Sequence, residues 1–266
     1  MKFVTRYKVH SPLRPPIIIP SKYRIVWRES GTDIDPLQPG LAADEITDLV
    51  SATDIPVLIG ATTWGNGDGS KSSGPRNAGI LWQRDSGPGE MYFKNHLVPF
   101  GEYIPLRDFI ARFISRFDQI PSDFIAGTEP GIFKVENSKI GDVICFEVAY
   151  ADRIQKTVAA GAQVMVVQTN NATYGNTSQP AQQFAITRFR AIESQRAFLV
   201  ASTSGISGLI RNDGTVIAQT KQFEAATVVG EVELISDLTF THRFPNWVLV
   251  VSILILTFAL RRNRVQ

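Results

Sequence analysis

This chain predicts an α/β domain built on a mixed sheet or sheets. Three observations predict it. Runs rich in β-formers alternate with segments of helical periodicity. Short turn signals join several neighbouring runs into hairpins. No internal repeat and no linker divides residues 23–234.

Taken in order, YRIVW (Tyr23–Trp27) reads as a strand, and residues 39–53 read as a helix with Leu41, Ile46, Leu49 and Val50 on its apolar side. PVLIGATT, residues 56–63, is the next strand, and residues 66–76 form a polar glycine-rich loop. Residues 77–83 and 91–94 read as a hairpin around Asp85-Ser86-Gly87. PLRDFIARFISRF, residues 105–117, is amphipathic, with Leu106, Phe109, Ile110, Phe113, Ile114 and Phe117 in one stripe. It fits either a core-facing helix or one lying on a lipid surface with its arginines near phosphates.

Residues 139–145 form a strand that ends on Cys145, followed by a helix over residues 151–160 that stops at Gly161. QVMVVQT, residues 163–169, is near-continuously apolar, as in a strand covered on both faces. Residues 180–196 read as a helix with Ala181, Ala185, Phe189 and Ile192 as its buried face. Residues 198–202, 206–211, 215–220 and 227–234 are strands, with Asn212-Asp213-Gly214 turning between the second and third.

The composition narrows the function classes. The 266 residues suffice for one sizeable domain, and 44% apolar with 20% charged residues argues against disorder and against a polytopic membrane protein. A net charge of +2 gives little attraction for nucleic acid, which is not expected as a partner. One cysteine excludes an intrachain disulfide and any cysteine-based metal site, and His10, His96 and His242 show no ligand spacing. No phosphate-binding or dinucleotide-binding glycine pattern occurs, so neither metal nor cofactor is implied.

The two ends differ from the middle. FPNWVLVVSILILTFALRRNRVQ closes the chain with an uncharged stretch before Arg261, Arg262 and Arg264. Its roughly 14–17 apolar residues are short for a hydrocarbon core of about 30 Å, and a buried core helix also fits. Apolarity on every face, a tryptophan at one end and arginines at the other favour a transmembrane helix over residues 244–261. Residues 262–266 are then a cytoplasmic tail and the main domain lies outside. Residues 1–22 contain no apolar run long enough for a signal peptide, although a domain on the outer face needs an export signal.

Candidate chemistry starts at GDVICFEVAY. A lone cysteine is often a small core residue. Cys145 instead stands between a strand and a helix, where α/β folds expose reactive groups and a helix N-terminus favours thiolate. A nucleophilic thiol needs a base and an oxyanion donor. His96 is one possible base, which would make a Cys–His hydrolase. Two other strand ends offer a different set: Glu29, after YRIVW, can take the thiol proton, and Lys94, after EMYF, can steady thiolate and oxyanion.

The order Glu, Lys, Cys at successive strand ends resembles the nitrilase, or carbon–nitrogen hydrolase, superfamily. Within it, KNHLVPFGEYIPLR, ICFEVAY and TNNATYGNTSQPAQQFAITRFRAIESQRAFLVASTSGIS are similar to the apolipoprotein N-acyltransferase family. The resemblance covers residue 23 to the C-terminus. It implies a nitrilase-like αββα sandwich as the catalytic domain over residues 23–243, facing the outside of the cell membrane. It implies ping-pong transfer of a fatty acyl chain from a phospholipid to the N-terminal amino group of a diacylglyceryl-modified lipoprotein, through a thioester. Glu29 would be the base, Cys145 the nucleophile and Lys94 the oxyanion donor. Glu102 and Glu147 match two supporting acidic positions, for which structural pairing is the alternative.

The chain departs from the family's pattern in carrying Arg28 where proline is frequent, and one aromatic, Tyr174, where a pair is frequent. Residues 1–22 stand where members carry transmembrane helices and the first strand and helix of the domain. The sheet is therefore expected to lack one strand and expose an edge, as in a truncated chain. A soluble amidase with water as acceptor, and an inactive membrane-tethered remnant, are the competing readings.

Overall fold

The computed structural model describes residues 2–6, 23–32, 34–65, 74–107 and 122–263. Two six-stranded sheets face each other. The first runs β12-β1-β2-β3-β4-β5 and the second β11-β10-β9-β8-β7-β6. The first sheet holds β1 (Lys2–Arg6), β2 (Tyr23–Trp27), β3 (Val57–Trp64), β4 (Pro75–Gln83), β5 (Gly87–Phe93) and β12 (Thr227–Glu231). The second holds β6 (Gly131–Val135), β7 (Ser138–Ile144), β8 (Val164–Thr169), β9 (Phe198–Ser202), β10 (Gly208–Ile210) and β11 (Val216–Gln219). In each sheet the central strands are parallel and antiparallel hairpins extend the edges, β2–β3 and β7–β8–β9 being the parallel pairs that carry site residues.

Three apolar clusters define the layers. Val26, Leu58, Leu81 and Tyr92 of the first sheet meet Phe133, Ile140, Ile144, Val166 and Leu199 of the second. Helix α1 (Leu41–Thr53) covers the outer face of the first sheet through Ile46, Leu49 and Val50 against Val57, Ile59 and Ile80. Helices α2 (Ala151–Ala159) and α3 (Gln179–Ser194) cover the second, where Ile154, Val158, Phe184 and Ala191 pack on Val143, Met165, Val167 and Phe198. This is the nitrilase-like αββα arrangement. Burial on both faces explains the near-continuous apolar run of β8.

Several sequence expectations are corrected. The first sheet does not lack its strand: β1 sits between β12 and β2, parallel to β2, so β2 has a neighbour on each side. Strand β6 escaped the sequence reading. Leu41 is exposed, at the mouth of its helix.

The buried face of α3 is Phe184, Thr187, Ala191 and Ser194, whereas Phe189 and Ile192 are 60% and 53% exposed. The polar members can be buried because each hydroxyl donates within the helix, Thr187 to the Gln183 carbonyl and Ser194 to the Arg190 carbonyl.

The C-terminal helix, α5 (Trp247–Asn263), follows a single turn, α4 (Phe240–Arg243). Its 17 residues rise about 25 Å, less than a hydrocarbon core. No helix among the described residues is long and apolar enough to cross a membrane. The transmembrane reading of residues 244–261 is therefore not supported, and the charge argument for orientation loses the span it acted on. A core helix is excluded too, since Val248–Leu260 are largely exposed. Residues 66–73 of the predicted loop 66–76 and most of the amphipathic stretch 105–117 lie outside the described residues, and Pro75 and Arg76 at the loop's predicted end belong to β4 instead.

Candidate active site

Three strand ends converge. Glu29 follows β2 by two residues, Lys94 follows β5 directly, and Cys145 follows β7 directly as the first residue of a 3₁₀ turn, Cys145–Ala149. All three side chains are buried. The Lys94 ammonium lies 2.8 Å from Glu102 Oε1 and 3.4 Å from Glu29 Oε1. The Glu29 charge acts on the buried Cys145 thiol, and Glu29 Oε2 accepts the Asn170 backbone N–H at 2.7 Å. The structure thus brings Glu29, Lys94, Glu102 and Cys145 into one buried cluster.

Glu102 serves the lysine. Its Oε1 accepts from Lys94 and from Asn77 Nδ2, and its Oε2 accepts the Val98 backbone N–H at 2.8 Å. Both carboxyl oxygens are committed, so the ammonium is held from one side by a fixed anion and faces Glu29 and Cys145 on the other.

Glu147 does something different. It is fully buried and accepts four hydrogen bonds: the Tyr92 hydroxyl at 2.7 Å, and the backbone N–H groups of Ile144, Asn95 and His96 at 2.8–2.9 Å. It clamps the residue before the cysteine to the two residues after the lysine. This is backbone fixation, and neither the thiol nor the ammonium is among its hydrogen-bond partners.

His96 is not among the thiol's hydrogen-bond partners, and its ring stacks on Tyr150 with centroids 3.5 Å apart.

The electrostatics oppose the sequence expectation of a helix-stabilised thiolate. Burial, then the Glu29 charge, push the Cys145 thiol up to about 12; Lys94 and the Thr169 hydrogen bond pull the other way without overcoming them. Burial likewise raises the Glu29 carboxyl, against the pull of Lys94. Burial opposes the Lys94 charge, but Glu29, Cys145 and Glu102 outweigh it and keep the ammonium firmly protonated. The resting pair is a protonated thiol beside a carboxylate of increased proton affinity, the condition for proton transfer coupled to attack.

Backbone geometry adds to this. Cys145 has φ +57°, the left-handed region, at a cost of about 1–3 kcal/mol for a residue other than glycine. The bend lifts the side chain off the strand into the cluster.

Sequence reasoning missed the donors around the sulfur. Thr169 Oγ1, at the end of β8, lies 3.3 Å from Cys145 Sγ. Gln183 on α3 lies 4.0 Å from the sulfur and accepts from Thr169 and from Asn171. Asn171 is held in turn by Ser202. The signal for Thr169 and Asn171 was the position of TNN at a fourth strand end, that of β8. Next to the cysteine in sequence, Phe146 joins Val148, Tyr174, Gln179, Gln183 and Ile186 in lining a cleft of about 150 Å³ that is open to solvent.

A family model described as carbon-nitrogen hydrolase matches residues 13–236. The chain belongs to the carbon-nitrogen hydrolase family. The fold agrees. An amidase from Nesterenkonia superposes with a TM-score of 0.64 at 15% identity, covering 93% of this chain and 96% of that one. A nitrilase-superfamily member from Saccharomyces cerevisiae superposes at 0.58 with 14% identity, over 79% and 76% of the two chains.

Among sequences, this carbon-nitrogen hydrolase is 36% identical to apolipoprotein N-acyltransferase of Mycolicibacterium smegmatis over 81% of its own length and 36% of the relative's. It is 34% identical to that of Pseudomonas aeruginosa over 59% of its length and 30% of the relative's. The chain spans about a third of the length of these curated relatives.

Proposed function

We propose that the domain transfers a fatty acyl chain from a phospholipid to the N-terminal amino group of a diacylglyceryl-cysteine on a lipoprotein, by a two-stage thioester mechanism. The observation that carries the reading is the buried thiol set between a base and an ammonium, beside an open cleft, in a chain 36% identical to an apolipoprotein N-acyltransferase.

Glu29 accepts the thiol proton as Cys145 Sγ bonds to the ester carbonyl carbon of the lipid. Lys94, with a backbone N–H near Cys145, holds the oxygen as it becomes anionic. The tetrahedral adduct collapses, the lysophospholipid leaves as an alcohol with the proton from Glu29, and a thioester remains. The lipoprotein amine then attacks the thioester, gives its proton to Glu29, and leaves as the amide; the thiol recovers a proton. Glu102 positions Lys94 and Glu147 fixes the backbone that carries both groups.

The reaction is placed at the cell membrane, where the acyl donor resides. The exposed apolar surface of α5 supports that placement. Placing the catalytic domain, residues 23–243, on the extracytoplasmic face rests on the family resemblance.

The test is the intact mass of the full chain after incubation with phospholipid vesicles, with Cys145→Ser alongside. A hydroxylamine-labile fatty-acyl adduct that requires Cys145 is expected. Hydrolysis of small amides without such an adduct would instead make the protein an amidase. Neither adduct nor hydrolysis would make it an inactive remnant.

A further inference from the structure

Between the two sheets lies a polar spot that the acyl-transfer chemistry does not use. Asp142, on β7, is completely buried, and neither of its carboxyl oxygens has a hydrogen-bond partner. Gln168, on β8, is completely buried, and its Oε1 also has none. The two strands are parallel with Asp142 opposite Val166, so Gln168 is its diagonal neighbour on the same face.

Both side chains reach toward β4. A Cβ placed on Gly79 would stand 2.3 Å from Asp142 Oδ2 and 3.1 Å from Gln168 Oε1. Glycine at that position leaves the room in which the two groups meet.

Two buried acceptors that share the space above Gly79 repel, and each unsatisfied buried polar group costs about 1–3 kcal/mol. Rotating the Gln168 amide does not help. Its Nε2 already donates to the Trp27 carbonyl at 2.5 Å and to the Leu58 carbonyl at 3.4 Å. A single proton on Asp142 pairs one of its oxygens with Gln168 Oε1 and leaves one neutral carbonyl oxygen in place of a buried charge.

We propose that Asp142 is a neutral carboxylic acid donating its proton to Gln168 Oε1, and that this bond makes it a positioning residue for Glu29. The link is short. Gln168 holds the carbonyl of Trp27, two residues before Glu29, while Asp142 lies on the strand that ends at Cys145. The bond therefore ties the base's strand to the nucleophile's strand across the two sheets. The surroundings favour the neutral form: burial first, then Glu147 from the 3₁₀ turn and Glu29 from the end of β2, while the adjoining Val143 backbone N–H, which makes no hydrogen bond to either oxygen, pulls the other way. Tyr92 on β5 is the remaining titratable group that faces it.

The test combines three measurements on the full chain. First, infrared difference spectra at neutral pH between wild type and Asp142→Asn should show the loss of a protonated carboxylic C=O band. Loss of a carboxylate band instead would overturn the proposal.

Second, a carboxyl raised above its unfolded pKa stabilises most below about pH 4, and that stabilisation fades as pH rises toward the folded value. The unfolding constant of wild type relative to Asp142→Asn should therefore grow by up to about tenfold per pH unit above 4. A flat ratio would overturn it.

Third, alkylation of Cys145 by iodoacetamide reads the effect of the Glu29 charge directly. Asp142→Asn, which keeps a donor, should leave the pH profile of alkylation unchanged. Asp142→Ala should move it to lower pH as Glu29 loosens its hold on the thiol. A shift in both variants, or in neither, would overturn the positioning role. None of these readouts depends on which acyl donor the enzyme uses.

Discussion

Burial and the Glu29 charge raise the Cys145 thiol, so attack under the proposed mechanism relies on removing its proton as the bond forms rather than on a standing thiolate pool. Glu29 has opposite effects on the two quantities that matter. Its charge favours the protonated thiol, and under the proposed mechanism its basicity removes the proton during attack. Glu29→Gln removes both. The alkylation profile of Cys145 should move to lower pH, since the anion that raises the thiol is gone, while acyl-enzyme formation should fall by about 10²–10⁴-fold.

Stopped-flow alkylation and single-turnover acylation on the same preparation separate the two effects; parallel losses would refute the assignment of Glu29 as base. Thr169→Val removes a donor 3.3 Å from the sulfur and leaves Glu29 in place, so acylation should slow about tenfold with little change in KM. Glu29, Lys94 and Cys145 were legible in the sequence because each stands where a strand pattern stops. Thr169 and Gln183 were not, because their roles exist only once β8 and α3 are folded beside β7.

The lesson of α3 is about elements. Periodicity located the helix within two residues at either end, but apolarity alone chose the wrong side. A threonine and a serine that bond to their own helix are as easily buried as alanine, and Arg188 and Arg190 fix the rotation from outside by donating to the Gly214 and Val148 carbonyls. The consequence is measurable. Phe189→Ser on the exposed face should change the unfolding free energy by no more than about 0.5 kcal/mol. Ala191→Leu, on the face against β9, should cost about 1–3 kcal/mol by overpacking. Urea titrations of both variants check this, and the sequence-predicted face would give the reverse order. Strand β6 was missed for a related reason: GIFKV is short, its buried first position is a glycine and only Lys134 marks its outer side by polarity, and it is a strand because β7 pairs with it through five registers.

At the scale of the molecule, α5 stands apart from the sandwich. It extends from the domain with an almost continuous apolar surface. Its composition was read correctly and its reach was not, because length rather than apolarity decides whether a helix spans a bilayer. A chain ending at Phe244 should keep the melting temperature of the full domain within a few degrees, and should lose the detergent binding and self-association that an exposed apolar helix drives. Calorimetry and sedimentation in and out of detergent measure both; a large fall in melting temperature would mean that α5 is integral to the core.

The Glu147 clamp has a different reach. Because one carboxylate grips the backbone beside the lysine on the first sheet and the backbone before the cysteine on the second, the distance between Lys94 and Cys145 is a property of how the sheets are seated. Heat should therefore not erode this site gradually while the body remains intact. Catalysis and near-ultraviolet dichroism are expected to vanish together along one sigmoid, so the working temperature range of the enzyme ends where its sandwich comes apart.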